Sequence, residues 1–277
     1  MACVIAIHSY GIPCKITEIK DVCSNHSVPL IEDCAQTLIA GSVRSLGHYG
    51  DVSIFSYGRG KIIELGYGGY ALVPDMCLFE RVKVQHDALP KITKSRELFA
   101  RMEIGRAYKH LYNTSYPDIS EDERVTFLDK IKSLGRDYLA PYDGKLDEAI
   151  SKVNKRLSNV IASRRRKYDL YYKLFSERND IEILPQPDDS VPWRFNVWIE
   201  NKKRNTVLHK MLDKKYNISS WYPDISRFLP SSVYMTTEMN KSGWLEDGVL
   251  NFWVDDNTDE DDIYKTVRRV LDIMDST

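Results

Sequence analysis

The sequence predicts an α/β protein, in which a mainly parallel sheet with flanking helices precedes a smaller C-terminal α+β domain. Short continuous apolar runs at 4–7 and 28–31 enclose a segment, 16–23, whose apolar residues recur at helical spacing. A strand, a helix and a strand within about 30 residues are typical of a βαβ unit and a parallel sheet. Parallel strands are buried on both faces and therefore read as apolar runs. Near the C terminus the pattern changes, because residues 193–200 alternate as in a half-buried strand.

The remaining elements follow from the same two periodicities. They are strands at 52–55, 70–73 and 249–254, and helices over much of 76–140 and over 205–215. A long amphipathic helix is predicted from about 146 to 175, where apolar residues form one stripe. A final helix follows Thr258, its expected N-cap, and has acidic residues in its first turn. The start of the long helix divides a large domain, 1–145, from a small domain, 146–277.

Composition and charge limit the possible classes of function. The chain has 277 residues, 43% of them hydrophobic and 29% charged, as in a soluble globular protein with a sizeable core. A net charge of −1 gives no electrostatic footprint for nucleic acid or an anionic membrane. No apolar run reaches the roughly 20 residues of a membrane span. The basic run 164–167 is interpreted as a solvated helix face.

The N terminus and the cysteines indicate the cellular compartment in which the protein is expected. The apolar start at 3–7 has no basic segment before it, so we interpret it as a strand and not as a signal peptide. Five cysteines without a CxxC pair predict thiols in a reducing cytoplasm, and no metal site.

Polar residues that could carry chemistry follow the apolar runs. Asp33 ends one run, and Gln36 lies three residues later. Ser56 follows the next strand, and Lys61 comes five residues after it in a Gly-rich segment. Ligands of parallel sheets bind beyond the carboxyl ends of the strands, so these side chains are expected near one another. His8 follows the first strand and either faces the same place or is a hydrogen-bonded structural histidine.

Each of these residues, taken singly, has an ordinary structural explanation. Lys61 alone would be a surface lysine, Asp33 a helix cap or an ion-pair partner, and Ser56 a turn residue. Gln36 alone is uninformative. Together, an acid, a hydroxyl and an amine are what pyridoxal 5'-phosphate (PLP) needs for its ring nitrogen, its phosphate and its aldehyde. The glycines at 66–69 do not form a GxGxxG and no helix follows them, which argues against a dinucleotide site.

The order and spacing of these residues resemble those of the DegT/StrS-type sugar aminotransferases, PLP enzymes of the aspartate aminotransferase fold (fold type I). The similarity runs from about 7 to 73. Its segments are His8-x-Tyr10-Gly11-x-Pro13, Ile31-Glu32-Asp33-Cys34-Ala35-Gln36, Gly50-Asp51-Val52, Phe55-Ser56-Tyr57, Lys61 and Gly66-x-Gly68-Gly69. Looser similarity follows at Ser220-Trp221-Tyr222-Pro223 and Leu250-Asn251-Phe252-Trp253.

The resemblance implies a role for each matching residue. Lys61 would be the catalytic residue, which holds PLP through its amine and moves a proton between substrate and cofactor. Asp33 would pair with the pyridine nitrogen, and Gln36 would contact the ring side. Ser56 would bind the phosphate. The implied reaction transfers an amino group from glutamate to a keto-sugar nucleotide in surface-polysaccharide or amino-sugar biosynthesis, in a cytoplasmic homodimer. The family's dehydratases carry histidine in place of the lysine, so Lys61 disfavours dehydration.

The sequence also departs from the family pattern. The family has a long segment ahead of the position of Asp33, whereas Met1 comes just before a middle strand, so the N-terminal part of the large domain is expected to be missing. Missing neighbours would leave an exposed apolar edge and face. The family's Asn-containing segment is not found in 137–147, and Gly58 and Gly60 replace more usual residues. The alternative function is a catalytically incomplete remnant, or a subunit that needs a complementing N-terminal partner chain.

Overall fold

The computed structural model describes residues 3–38, 46–91, 93–113, 120–141, 144–188, 190–222, 230 and 248–277. Its strands are β1 (Val4–Ile7), β2 (Leu30–Asp33), β3 (Val52–Ser56), β4 (Gly69–Leu72), β5 (Glu182–Ile183), β6 (Phe195–Trp198), β7 (Ile218–Ser219) and β8 (Val249–Phe252). Its helices are α1 (Ile16–Asn25), α2 (Met76–Asp87), α3 (Lys94–Asn113), α4 (Glu121–Tyr138), α5 (Asp147–Asn154), α6 (Leu157–Phe175), α7 (Asn201–Asp213) and α8 (Glu260–Asp275). The predicted α/β class is confirmed.

Contacts group the chain into two compact units. One unit contains residues 1–80, 144–219 and 250–277, and the other contains 81–143 and 220–249. The division into large and small domains at residue 145 stays a prediction.

The first sheet has the strand order β1-β2-β3-β4. Strands β1, β2 and β3 are parallel, as predicted, and α1 connects the first two. Strand β4 runs antiparallel to β3, to which residues 57–68 connect it. The Tyr57 N–H donates to the carbonyl of Gly68 at 2.9 Å and closes this connection.

The two faces of the first sheet differ in their burial. Ala6, Glu32 and Ser53 are paired neighbours on a buried face, which packs in a cluster with residues of α1. Ile7 and Asp33 are paired neighbours on the opposite face. On that face Ile7 keeps 50% of its surface exposed. The exposed apolar face expected from the sequence is therefore present among the described residues, and we call it the open face.

The second sheet has the order β5-β6-β8-β7 and forms one core with α6, α7 and α8. Phe195, Val197, Leu250 and Phe252 are all fully buried in this core. The half-buried strand predicted at 193–200 is wrong in this respect. The polar residue that creates the alternation, Asn196, is itself buried and is held by hydrogen bonds.

Two predictions about helix ends are corrected. The long helix predicted over 146–175 is two helices, α5 and α6, because Arg156 between them has a non-helical backbone (φ −116°, ψ 12°). The N-cap of α8 is Asp259 and not Thr258. The carboxylate of Asp259 accepts from the Asp262 N–H at 2.7 Å, whereas the Thr258 hydroxyl donates to Asp255 at 2.9 Å.

The second compact unit is helical in its described residues. Helices α3 and α4 pack against each other, and Ser120 caps α4 in a capping box with Glu123. The prediction that 76–140 is mostly helical is confirmed for the described residues. In the described part of the chain, no helix has the length and apolar character needed to cross a membrane.

Candidate active site

The structure brings the predicted site residues to one edge of the first sheet. Strands β1, β2 and β3 are parallel, so their carboxyl ends lie together. A helical turn, Ser9–Gly11, follows β1, Asp33 is the last residue of β2, and Ser56 is the last residue of β3. The loop that carries Lys61 leaves from the same edge.

Asp33 and Gln36 are held by backbone groups of adjoining loops. The Asp33 carboxylate accepts from the Ala35 N–H at 2.9 Å, and its side chain stays partly exposed on the open face. The Gln36 carboxamide oxygen accepts from the Tyr10 N–H at 2.6 Å. This bond joins the loop after β2 to the loop after β1, where Tyr10 has a positive φ of 62°. Hydrogen bonds therefore hold the two loops beside Asp33 in place.

Ser56 presents a hydroxyl beside a turn that only a glycine leaves open. Its oxygen accepts from the Gly58 N–H at 3.1 Å, and an accepted bond leaves the hydroxyl proton to be donated. A Cβ at position 58 would lie 3.3 Å from this oxygen. The glycine thus keeps space for a ligand atom next to the hydroxyl.

The backbone around Lys61 is anchored from distant parts of the chain. The indole N–H of Trp193 donates to the carbonyl of Gly60 at 2.6 Å. The guanidinium of Arg164, in α6, donates to the carbonyl of Ile62 at 3.1 Å and to that of Lys61 at 3.5 Å. Such anchoring fixes where the lysine side chain begins.

The environment of Lys61 favours the neutral amine. Burial is the largest influence and lowers the pKa of Lys61. The carboxylate of Asp33 raises this pKa, and the guanidinium of Arg194 lowers it, with a net lowering. The acid and the amine that the sequence predicted therefore act on each other electrostatically.

The basic run at 164–167 is not the solvated face that the sequence predicted. Arg164 and Lys167 lie on one side of α6 and are 4% and 6% exposed. Arg164 also donates to the carbonyls of Pro192 and Trp193. Sequence reasoning missed its role in anchoring the Lys61 loop, because all four residues of the run are basic and the carbonyl groups that Arg164 binds come from distant parts of the chain.

His8 does not face the site. Its Nδ1 accepts from the Cys14 N–H at 3.1 Å, so its Nε2 carries the proton and donates to Glu32 at 3.0 Å. His8 and Glu32 are both fully buried. Of the two readings open at the sequence level, the structural histidine is correct.

Glu32 is a structural acid directly beside the candidate catalytic acid. Its carboxylate accepts from His8 and from four further donors: the N–H groups of Gly47, Tyr49 and Gly50 and the hydroxyl of Ser53. Burial would raise the pKa of Glu32, but the bonds from His8 and the three backbone groups outweigh it and lower the pKa from 4.5 to about 2. Glu32 is thus an anion with its acceptor sites occupied.

One cluster has the composition of a metal site, namely His8, Glu32 and Cys34. Both ring nitrogens of His8 are already used, and the Glu32 oxygens accept five hydrogen bonds. Burial raises the pKa of Cys34 to about 12, so its sulfur keeps a proton, whereas a metal needs the thiolate. The cluster is therefore a buried polar network. All five cysteines are free thiols.

The groups at the sheet edge fit PLP chemically. A carboxylate suits a pyridinium nitrogen, a hydroxyl with a proton to donate suits a phosphate, and an amine of lowered pKa suits an aldehyde. Asp33, Ser56 and Lys61 supply these three groups, and Gly58 leaves room beside the hydroxyl.

Solved structures share this fold. The aminotransferase TlmJ from Streptoalloteichus hindustanus superposes with a TM-score of 0.69 at 17% identity, over 99% of this chain and 66% of that one. DesI, solved with its TDP-sugar product, gives 0.69 at 15% identity, over 100% of this chain and 63% of that one. The fold is therefore that of the fold-type-I PLP aminotransferases.

Sequence comparison finds a family match in the first part of the chain. Residues 1–111 match the DegT/DnrJ/EryC1/StrS aminotransferase family, and the resemblance inferred from the motifs is confirmed.

Two curated relatives illustrate the extent of the similarity. The GDP-perosamine synthase of Vibrio cholerae is 40% identical over 81 residues, which are 27% of this chain and 22% of that protein. The dTDP-4-dehydro-2,3,6-trideoxy-D-glucose 4-aminotransferase of Saccharopolyspora spinosa is 25% identical over 232 residues, covering 81% of this chain and 53% of that protein. The chain thus spans about a fifth to a half of the length of these curated relatives.

Proposed function

We propose that the chain holds the cofactor site of a PLP-dependent aminotransferase, which transfers an amino group from glutamate to a keto-sugar nucleotide. The observation that carries this proposal is that Asp33, at the end of β2, and the loop that carries Lys61, after β3, lie at the same edge of the sheet. The Asp33 carboxylate raises the pKa of Lys61 against the effect of burial, and the Lys61 loop is anchored by Trp193 and Arg164.

When bound, PLP supplies an electron-withdrawing ring that stabilises negative charge on the reacting substrate carbon. The chain's own residues orient it and move protons. Asp33 would hold a proton on the ring nitrogen, and Ser56 would donate to the phosphate. Gln36, whose carboxamide accepts from the Tyr10 N–H, would contact the ring side. The Nζ of Lys61 would attach the aldehyde and, once released as a neutral amine, would take up and return the proton of the substrate carbon.

The substrate class is proposed from the named relatives. A GDP-perosamine synthase and a dTDP-sugar 4-aminotransferase act on sugar nucleotides by name, which supports a keto-sugar nucleotide as acceptor. Other relatives, such as that of Streptomyces kanamyceticus, are named as L-glutamine:2-deoxy-scyllo-inosose aminotransferases. Glutamate is the proposed donor, and glutamine is the comparison that the donor assay requires. We also propose a cytoplasmic site of action and a homodimeric or complemented assembly.

The test is the visible absorbance of the purified chain with added PLP, followed by borohydride and peptide mapping. We expect a band that borohydride traps on Lys61 and that is lost in Lys61→Ala. The matched control is Lys15→Ala, whose lysine side chain is 81% exposed, and this variant should keep the band. Glutamate added before borohydride should decrease the trapped fraction more than glutamine does.

The proposal is contradicted if the folded chain traps no PLP on Lys61. It is also contradicted if the Lys61→Ala variant traps as much PLP as the unaltered chain. That result would favour the second candidate function, a subunit completed by an N-terminal partner chain or a catalytically incomplete remnant. The open face supports this candidate, because Ile5 and Ile7 keep 57% and 50% of their surface exposed and apolar faces of this kind are normally covered.

A further inference from the structure

Arg194 is a buried cation held between two aromatic rings. Its guanidinium carbon lies 4.2 Å from the ring centroid of Trp193 and 3.7 Å from that of Trp253. Both distances are within the range of attractive cation–π contact. Only 5% of Arg194 is exposed, so the charge sits where solvent screens it weakly.

A chain of buried hydrogen bonds fixes the direction of this guanidinium. Its Nη1 donates to the Ser219 hydroxyl at 2.6 Å, and that hydroxyl donates to Asn251 at 2.9 Å. Asn251 in turn donates to Asn196 at 3.0 Å. These partners belong to β7, β8 and β6 of the second sheet, so the cation is placed by the most buried part of the fold.

The second terminal nitrogen of the Arg194 guanidinium, Nη2, is close to Gly60, the residue before Lys61. A Cβ built on Gly60 would lie 3.0 Å from Nη2 of Arg194. Gly60 has a φ of +72°, and its carbonyl accepts from the indole of Trp193, the residue next to Arg194. The Lys61 loop is therefore seated against Arg194 with no space for a larger residue.

Three other charged groups lie around this loop. Asp33 comes from β2 and favours the charged amine. Glu64 accepts from the Gly60 N–H at 2.8 Å, and Arg164 of α6 donates to the Lys61 carbonyl. The Lys61 amine is thus subject to two opposing charges, the carboxylate of Asp33 and the guanidinium of Arg194, which abuts the preceding residue, Gly60.

We propose that Arg194 is a positioning residue for Lys61, whose fixed positive charge opposes Asp33 and favours the neutral, nucleophilic amine. The lowered pKa of Lys61, to which Arg194 contributes after burial, agrees with this geometry. This proposal rests on the proposed function in one respect: the attachment of PLP is the step that would need a neutral Lys61 amine. The placement of the charge is independent of any cofactor.

The test measures the amine directly, without PLP. The full chain is labelled with trace acetic anhydride across a pH series, and mass spectrometry follows the labelling of each lysine. In the unaltered chain, Lys61 should reach half-maximal reactivity at lower pH than the solvent-exposed lysines. Arg194→Met keeps an apolar chain between the two tryptophans, and in this variant the pH of half-maximal Lys61 labelling, its midpoint, should be higher. In Asp33→Asn the midpoint should be lower.

Two further variants make the result specific. Arg194→Gln removes the charge but retains a polar side chain, so it should move the midpoint upward as Arg194→Met does, even if the latter folds poorly. Arg166→Met removes an exposed arginine paired with Glu260 and should leave the midpoint unchanged.

The proposal is overturned if Lys61 in the unaltered chain titrates with the exposed lysines, or if folded Arg194 variants leave its midpoint in place. Because no cofactor is present, these results are distinct from a failure to trap PLP. A shifted midpoint without trapping would overturn the cofactor proposal alone, and trapping with an unmoved midpoint would overturn this one alone.

Discussion

The two sheets of the molecule differ in how completely they are covered. In the second sheet every residue of β8 is buried, and Tyr171 of α6 stacks on Phe195 and packs at a tilt against Phe252. In the first sheet three of the four residues of β1 are exposed. The residues of the candidate site lie on the sheet that is covered on one face, while the supports of the Lys61 loop come from α6 and from the residues just before β6. The buried second core thus stabilises a site that lies on the less covered sheet.

The largest expected effect is the loss of a ring from the second core. Phe252→Ala should lower the free energy of unfolding by about 3–5 kcal/mol, because it opens a cavity among fully buried rings. Ile5→Ala is the matched change on the open face. With 57% of its surface exposed, Ile5 should contribute less than about 1 kcal/mol. Urea unfolding measures both, and equal losses would show that the open face is covered in solution.

A second effect concerns acid stability and Glu32. Its pKa is lowered on folding, from 4.5 to about 2. The corresponding stabilisation is fully present above pH 4.5 and is lost as the pH falls through about 2. We expect the unaltered chain to lose on the order of 3 kcal/mol of stability across this window from this group.

The Glu32→Gln variant should be less stable than the unaltered chain at neutral pH and should lack this part of the acid transition. Glu18→Gln is the control, because Glu18 is 68% exposed and should leave the transition unchanged. Denaturation followed from pH 7 to pH 2 checks both. An acid transition that is the same with and without the Glu32 carboxylate would contradict its assignment as a buried anion.

The smallest expected effect tests the connection between the sheets. Gly60→Ala should cost about 1–2 kcal/mol, because φ is +72° and the new methyl group would lie 3.0 Å from Arg194. Gly135→Ala, at an open position within α4, should stabilise by about 0.5–1 kcal/mol. Thermal unfolding gives both signs. A neutral Gly60→Ala would show that the loop is not seated against Arg194.

The sequence was sufficient for the first sheet and for the order of the site residues. Continuous apolar runs gave β1 to β3, and Asp33, Ser56 and Lys61 could be identified because each follows a strand or a glycine-rich turn. These signals are local, so they can be recognised without knowledge of the tertiary packing. The antiparallel return of β4 depends on how tightly the connection after Tyr57 closes, which the strand pattern does not encode.

The supports of the site could not be found in this way. Arg164, Trp193 and Arg194 reach the Lys61 loop from more than a hundred residues away, and only the tertiary fold brings them there. In the sequence, Arg164 belongs to a basic run of ordinary appearance. The burial of a cation depends on which carbonyl groups surround it, and these come from other elements.

The neighbouring acids of β2 have a consequence for strand slippage. Side chains alternate along a strand, so a shift of β2 by one residue would turn Glu32 toward the open face and Asp33 into the core. The longer glutamate would then stand where the candidate site needs the shorter aspartate, and five donors would lose their acceptor. Glu32 therefore acts as a lock on the alignment of the strand. Through that lock, a buried residue outside the candidate site determines which acid of β2 faces the site.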